Sequence, residues 1–231
     1  MTQKRSKRYT EAISKIEDVP MTLADAVKTI KAYPNTKFDE SIEVNFHLGI
    51  DPKQSNQIVR GTVNLPHGTG KKVRVLVFCR GEEARAAEEA GADYVGADEL
   101  INKVAGGWID FDVVVAHPGM MKDISKLGRV LGPRGLMPSP KVGTVTQDLA
   151  KAVTEVKKGK VEFKSDRTAG LHLACGKVSF DESKIMENIR TVFKTILDYK
   201  PQTAKGTYLK NIAISTSMGP GIEIDMNSVL K

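Results

Sequence analysis

Apolar and polar residues alternate in two early stretches of the chain, and a period of two predicts strands with one face in a core and one in water. Ile42, Val44, Phe46 and Leu48 alternate with Glu43, Asn45 and His47, and Val59, Gly61, Val63 and Leu65 with Arg60, Thr62 and Asn64. Ahead of them, Leu23, Ala26, Val27 and Ile30 share one helical face behind Thr22, a suitable N-cap, and Pro34 stops that helix. After Gly68 the texture changes. Residues 73–78 and 112–116 are dense apolar runs with little alternation, as expected of strands covered on both faces, and helical stretches at 82–90, 97–105, 120–130 and 147–157 separate and follow them. From Gly159 the half-exposed texture returns. Val161 and Phe163 alternate with Glu162 and Lys164, and Leu171 and Leu173 flank His172. A long helix follows from Asp181, with Ile185, Met186, Ile189, Val192, Phe193, Ile196 and Leu197 as its apolar stripe and Pro201 beyond its end. Strands at 208–215 and 222–226 close the chain around a Thr-Ser-Met-Gly-Pro-Gly turn.

The shared texture of residues 1–66 and 160–231 predicts one discontinuous α+β domain, with residues 67–159 inserted as an α/β domain whose sheet is mainly parallel. Gly68, Gly70 and Gly159 lie at the junctions, where two crossing strands can form a hinge. Two domains packed in sequence are the alternative.

Composition sharpens this picture modestly. The 231 residues carry 35 Lys and Arg against 28 Asp and Glu, a formal charge of +7. With a pI near 9.3, that balance suggests a polyanionic partner, although the excess is spread along the chain. Lys4, Arg5, Lys7, Arg8 and Lys15 face only Glu11 at the start, which fits a solvated arm or a phosphate-contacting one. The longest apolar run, Val75-Leu76-Val77-Phe78-Cys79, falls far short of the ~20 residues of a bilayer span, and no apolar stretch follows the basic start. No membrane partner and a cytoplasmic location are therefore expected. Cys79 and Cys175 sit among apolar residues without a partner at metal-ligand spacing and read as buried, reduced thiols.

An inserted doubly wound unit invites a nucleotide-enzyme reading. Its fingerprints fail by position: Val73 and Ile224 stand where the third glycine of the dinucleotide motif belongs. No Gly-Lys pair is followed by the Ser or Thr of a P-loop. His47, His67, His117 and His172 are scattered without a catalytic partner, and His47 and His172 fall in polar phases of strands. No catalytic residue, metal or cofactor is expected. A cytosolic nucleotide-dependent enzyme survives only by fold analogy, and dialysis against ATP and NAD would reveal one.

Three constellations favour RNA. Lys37-Phe38-Asp39-Glu40 sets a ring beside a cation, able to stack on a base or ribose or to cap the core. Lys164-Ser165-Asp166-Arg167-Thr168 is a charged turn that offers phosphate contacts and an acceptor for a 2′-hydroxyl, or serves as an ordinary hairpin turn. Thr216-Ser217-Met218-Gly219-Pro220-Gly221 combines hydroxyls, an adaptable thioether and glycines that permit close backbone approach; Met218 folded onto the core is the alternative.

At these residues the chain resembles the bacterial family of large-subunit ribosomal protein one. The resemblance spans essentially the whole chain. It rests on Lys37-Phe38-Asp39-Glu40, Leu48-Gly49-Ile50-Asp51-Pro52, Arg60-Gly61-Thr62-Val63-Asn64-Leu65-Pro66-His67-Gly68, Gly128-Arg129-Val130-Leu131-Gly132-Pro133-Arg134-Gly135-Leu136-Met137-Pro138, Ala204-Lys205-Gly206-Thr207 and Ser217-Met218-Gly219. It implies a discontinuous two-layer domain that grips large-subunit rRNA at the mobile stalk, and a three-layer Rossmann-like inserted domain on a two-strand hinge. It also implies help in moving deacylated tRNA from the exit site, repression of the protein's own operon through an mRNA leader, and a monomer off the ribosome. Carried over by motif, the rRNA-facing positions are Lys37, Phe38, Glu40, Lys164, Asp166, Arg167, Thr168, Lys205, Thr207, Thr216, Ser217, Met218 and Gly219, with Arg129 and Arg134 facing tRNA. The family usually has Thr where Ser217 stands, a change that keeps the hydroxyl and drops a methyl. These loops are expected to converge into a single patch shaped for a ribose-phosphate fold.

Overall fold

The computed structural model describes residues 6–16, 19–33 and 36–230. Lys4 and Arg5 of the basic start and Pro34, the expected helix stop, lie outside them. Along the chain the first elements are α1 (Lys7–Ile13), α2 (Leu23–Lys31), β1 (Ser41–Leu48), β2 (Arg60–Asn64), β3 (Val75–Phe78), α3 (Glu82–Glu89), β4 (Tyr94–Gly96), α4 (Asp98–Ala105) and β5 (Val113–Ala116). Then come α5 (Met121–Ile124), α6 (Gly128–Leu131), α7 (Leu149–Lys158), β6 (Lys160–Lys164), β7 (Gly170–Lys177), α8 (Glu182–Asp198), β8 (Leu209–Thr216), β9 (Ile222–Glu223) and α9 (Met226–Leu230). They form two compact units: residues 1–70 with 161–231, and residues 71–160.

The discontinuous unit is a two-layer structure. Its main sheet runs β7-β1-β8-β9, antiparallel throughout, and β2 pairs with β6 in a separate two-stranded sheet. Ile42, Val44, Phe46 and Leu48 of β1 are buried in one core with Leu171 and Leu173 of β7 and Ile212 and Ile214 of β8. The apolar faces of α2 and α8 complete that core from one side of the sheet, α8 through Ile185, Ile189, Val192, Phe193 and Ile196. Thr22 caps α2 by accepting the Asp25 amide, as the sequence predicts. Two elements differ from the sequence reading. Lys7 and Arg8 of the basic start, read as part of an arm, lie in α1, which is capped by Ser6 and anchored by buried Ala12. The last strand stops at Glu223 instead of 226, because the Asp225 carboxylate accepts the Asn227 amide and turns the chain into α9.

The inserted unit has three layers. A parallel sheet of order β4-β3-β5 is covered on one face by α3 and α7, through Ala87, Leu149, Ala152 and Val153, and on the other by α4, α5 and α6, through Leu100, Val104, Ile124 and Leu131. All four residues of β3 are buried, which explains its unbroken apolar run. The single helix expected at 120–130 is instead two short α turns, α5 and α6, joined by a 3₁₀ turn at Ser125–Leu127. Met120, Ile124, Leu127 and Leu131 still bury one face, so the period survives. Ser125 Oγ bonds back to the Met121 carbonyl at 2.7 Å, and such back-bonding, with a glycine at 128, weakens continuous helix. The three residues of β4 are too few to stand out as a pattern.

Asp112 ties the first strand of this unit to the third. It accepts from Lys71 Nζ at 2.6 Å and from Arg74 N and Nε at 3.1 and 3.2 Å. The Lys71 ammonium first, then Arg74, holds its carboxyl down to about 2. Its folded value lies below the ~3.9 of an unfolded Asp, so this contribution, about 1–2 kcal/mol, is complete above pH ~4 and is lost as pH falls through about 2. Asp112→Asn should flatten that acid limb of the unit's stability curve, as read by circular dichroism.

Candidate nucleic-acid interface

Strand pleating gives the main sheet a second face, opposite the helices of its own unit, whose side chains are half-buried or exposed. On β1 it presents Ser41, Glu43, Asn45 and His47, none of them buried. Register lines them up in rows: Asn45 stands between His172 of β7 and Ala213 of β8, with Glu223 of β9 beyond, and Glu43 stands between Ala174 and Ser215. His47 stands between Gly170 and Asn211. The rows are hydrogen-bonded across strands. The Asn45 amide donates to Ser215 Oγ at 3.2 Å, its carbonyl oxygen takes the His172 Nδ1 proton at 2.6 Å, and the Asn211 amide donates to Glu223 at 2.8 Å. The surface is thus a pre-arranged array of polar donors and acceptors that includes the carboxylates of Glu43 and Glu223, with a depression of about 260 Å³ between Asn45, His47, Thr168, His172 and Asn211.

One end of this face carries the 216–219 loop. Ser217 closes β8 against β1, its amide donating to the Ser41 carbonyl at 3.1 Å and its Oγ accepting the Ser41 amide at 3.2 Å; the hydroxyl proton stays available. Met218 is 53% exposed and Phe38 54%, so neither folds onto the core. Lys37 is also exposed. Glu40 and Thr216 are buried, 7% and 5% exposed, and support this end from beneath. Glu40 accepts the Met218 amide at 3.4 Å. Gly219 lies so close over Thr216 and Tyr33 that a Cβ there would stand 2.3 Å from Thr216 Oγ1.

The charged turn lies at the other end. Asp166 spends its carboxylate within the turn, accepting Thr168 N and Oγ1 at 2.8 Å and Gly170 N at 2.7 Å, and those bonds hold it below the usual carboxylate range. It is the clamp of the turn, and it holds Ala169 in the left-handed region at φ 63°. Lys164, Arg167 and Thr168 are exposed around it. Lys205 and Thr207 border a separate cavity of about 710 Å³ with Gly49, Asp51 and Gln57, at the Leu48 end of β1. The positions expected to face rRNA therefore do not converge on a point. They occupy both ends of β1, whose eight residues span roughly 24 Å, and the open sheet face connects them.

Arg129 and Arg134 are exposed in the inserted unit, on α6 and the turn after it. Gly68, Gly70 and Gly159 all have positive φ, 63°, 73° and 111°, and Gly159 also caps α7. At the carboxyl ends of the parallel strands, where such sheets hold nucleotides, Arg80 is committed to Asp98 at 2.9 Å and Asp123 at 3.7 Å. Cys79 and Cys175 are buried thiols pushed up to about 11 and about 12 by desolvation. Among the described residues no helix is long and apolar enough to cross a membrane.

Sequence reasoning did not single out the middle of this face, Asn45, Asn211 and Ser215, and placed His47 and His172 only in the polar phases of their strands. Their signal is present as the polar phase of three strands, but nothing in the sequence says that this phase stays in contact with solvent.

The model of the Ribosomal protein L1p/L10e family matches residues 30–220. Large ribosomal subunit protein uL1 of Thermobifida fusca (strain YX) is 54% identical over 226 residues, 97% of this chain and 96% of that protein. The proteins of the same name from Nocardioides sp. and Persephonella marina are 55% identical over 224 residues and 52% over 233, covering 96% and 99% of this chain and 93% and 96% of their own lengths. With a likeness that runs through both units, the chain belongs to the Ribosomal protein L1p/L10e family.

Proposed function

We propose that the protein is a structural constituent of the large ribosomal subunit, and that it binds large-subunit rRNA at the mobile stalk through the open face of its main sheet. The observation that carries this reading is that face: polar, solvent-facing, and bounded by Phe38 and Met218 at one end and the 166–168 turn at the other. Amides, hydroxyls and imidazoles suit ribose 2′-hydroxyls and base edges. Glu43 and Glu223 repel phosphate from the centre, whereas Lys37, Lys164 and Arg167 lie at the ends, where phosphates gain by counterion release. This arrangement selects a folded RNA by where it places its sugars, and a nonspecific binder has no use for it. The name of the relatives, large ribosomal subunit protein, supports the assignment to that subunit.

On the same reading, bending at Gly68, Gly70 and Gly159 lets the inserted unit bring Arg129 and Arg134 to exit-site tRNA and assist its release once deacylated. The rRNA surface also binds a leader in the protein's own operon mRNA that mimics the rRNA site, and so represses translation. If one surface serves both RNAs, a change in the loop weakens both equally. Met218→Ala and Ser217→Ala are each expected to raise Kd five- to thirtyfold, about 1–2 kcal/mol, for stalk rRNA and for the leader alike, with little change in melting temperature. Filter binding reads this directly. Unchanged affinity in both variants removes the loop from the interface, and unequal losses for the two RNAs separate their surfaces.

A further inference from the structure

The 216–219 loop is gripped from outside the sheet by the first helix. Arg8 Nη2 donates to the Met218 carbonyl at 2.8 Å, and its Nη1 lies 3.6 Å from Glu40 Oε1. Glu40 Oε2 accepts the Met218 amide at 3.4 Å. One ion pair therefore holds both backbone polar groups of Met218, whose side chain is 53% exposed. The pair is not a loose surface contact: the Glu40 side chain is 8% exposed and that of Arg8 27%. Ion pairs between fully exposed side chains contribute little, but a buried carboxylate that also receives a backbone amide has few other geometries available.

We propose that Arg8 is a positioning residue for RNA binding: it fixes the Met218 peptide so that the 216–219 loop is already ordered when RNA arrives. This rests on the reading of the sheet face and its loop as the RNA interface. The guanidinium already bonds a carbonyl and faces a carboxylate, so it offers a phosphate little free charge. Its contribution is preorganisation, which lowers the cost of ordering the loop upon binding.

The salt dependence of binding separates this role from a phosphate contact. In the full chain, Arg8→Ala should raise Kd for in-vitro-transcribed large-subunit rRNA about tenfold at every KCl concentration, leaving the slope of log Kd against log salt unchanged. In the free protein, the amides of Met218 and Gly219 should exchange hydrogen faster. Arg8→Lys, which keeps a charge and loses the fork, should recover only part of the affinity. Arg8→Ala combined with Glu40→Gln should lose no more than the worse single variant, because both break one brace. A slope reduced by about one would make Arg8 a phosphate contact and overturn the proposal. Unchanged exchange at Met218 would overturn the brace itself. Faster exchange with unchanged affinity would instead show that the loop is not an RNA contact, which overturns the underlying reading. If Arg8→Ala unfolds α1, Arg8→Lys and Glu40→Gln carry the same comparison.

Discussion

Gly219→Val is expected to weaken binding to large-subunit rRNA on the order of a hundredfold, about 2.7 kcal/mol, while the melting temperature shifts by only a few degrees. The obstacle is space. A Cβ at this position would stand 2.3 Å from Thr216 Oγ1 and 3.1 Å from two atoms of the Tyr33 ring. Thr216 ends β8 and is 5% exposed, and Tyr33 is 8% exposed; both border a cavity of about 390 Å³ beside Phe38, but each is held by the packing of its own element. The loop is the softer partner, so it lifts, and lifting carries Met218 away from the plane of the sheet face. Gly219→Ala should show the same loss in smaller measure. Thr216→Ala removes the nearest atom, so in combination with Gly219→Ala it should restore binding to within about tenfold of the parent, leaving only the contact with Tyr33. Wild-type affinity in Gly219→Val at an unaltered melting temperature would remove the loop from the interface. Recovery by Thr216→Ala would show that the loss comes from this one collision.

Much of the fold is legible in the sequence because strand and helix periods are local. The alternation along β1 and the stripe along α8 each report a face turned to a core, and the change of texture after Gly68 reports a sheet covered on both sides. What is not legible depends on partners far away in sequence. Arg8 meets Met218 across 210 positions, and nothing in the basic start announces a helix that braces a loop near the other end of the chain. Asp166 reads as an acceptor for RNA because its internal partners, Thr168 and Gly170, become visible only when the turn closes. Glu40 sits at the end of the sheet that carries the loop, but its burial turns it inward, where it holds the Met218 peptide. The polar sheet face escapes for another reason. A polar phase in a strand shows which side faces away from the core, and says nothing about what, if anything, covers it.

Asn188 shows how far a single polar residue in an apolar stripe can reach. It is fully buried in α8, between Ile185 and Ile189, where a helical pattern gives no cause to expect an amide. Its Oδ1 accepts the His67 amide at 3.1 Å, and its Nδ2 donates to the carbonyls of Gly68 and Cys175 at 3.0 and 2.7 Å. Three backbone groups from two segments end on this side chain. Asn188→Ala leaves all three without their partner in a place water reaches poorly, at an expected cost of about 3 kcal/mol, which corresponds to a fall of roughly 6–12 °C in the melting temperature of a domain of this size. Asn188→Asp should be worse at neutral pH, because it sets a carboxylate against two carbonyl oxygens. Burial and those dipoles raise its folded pKa above the unfolded ~3.9, so the penalty is present at neutral pH and shrinks as acid protonates the group; Asn188→Asp should regain stability on acidification where Asn188→Ala does not. Thermal melts of both variants from pH 7 to pH 4 test this, and parallel curves would rule out the buried amide as the anchor. The anchor also bears on the proposed hinge. Because Asn188 holds the His67 amide and the Gly68 carbonyl to the first unit, Asn188→Ala should make residues 66–68 more susceptible to proteolysis than they are in the parent.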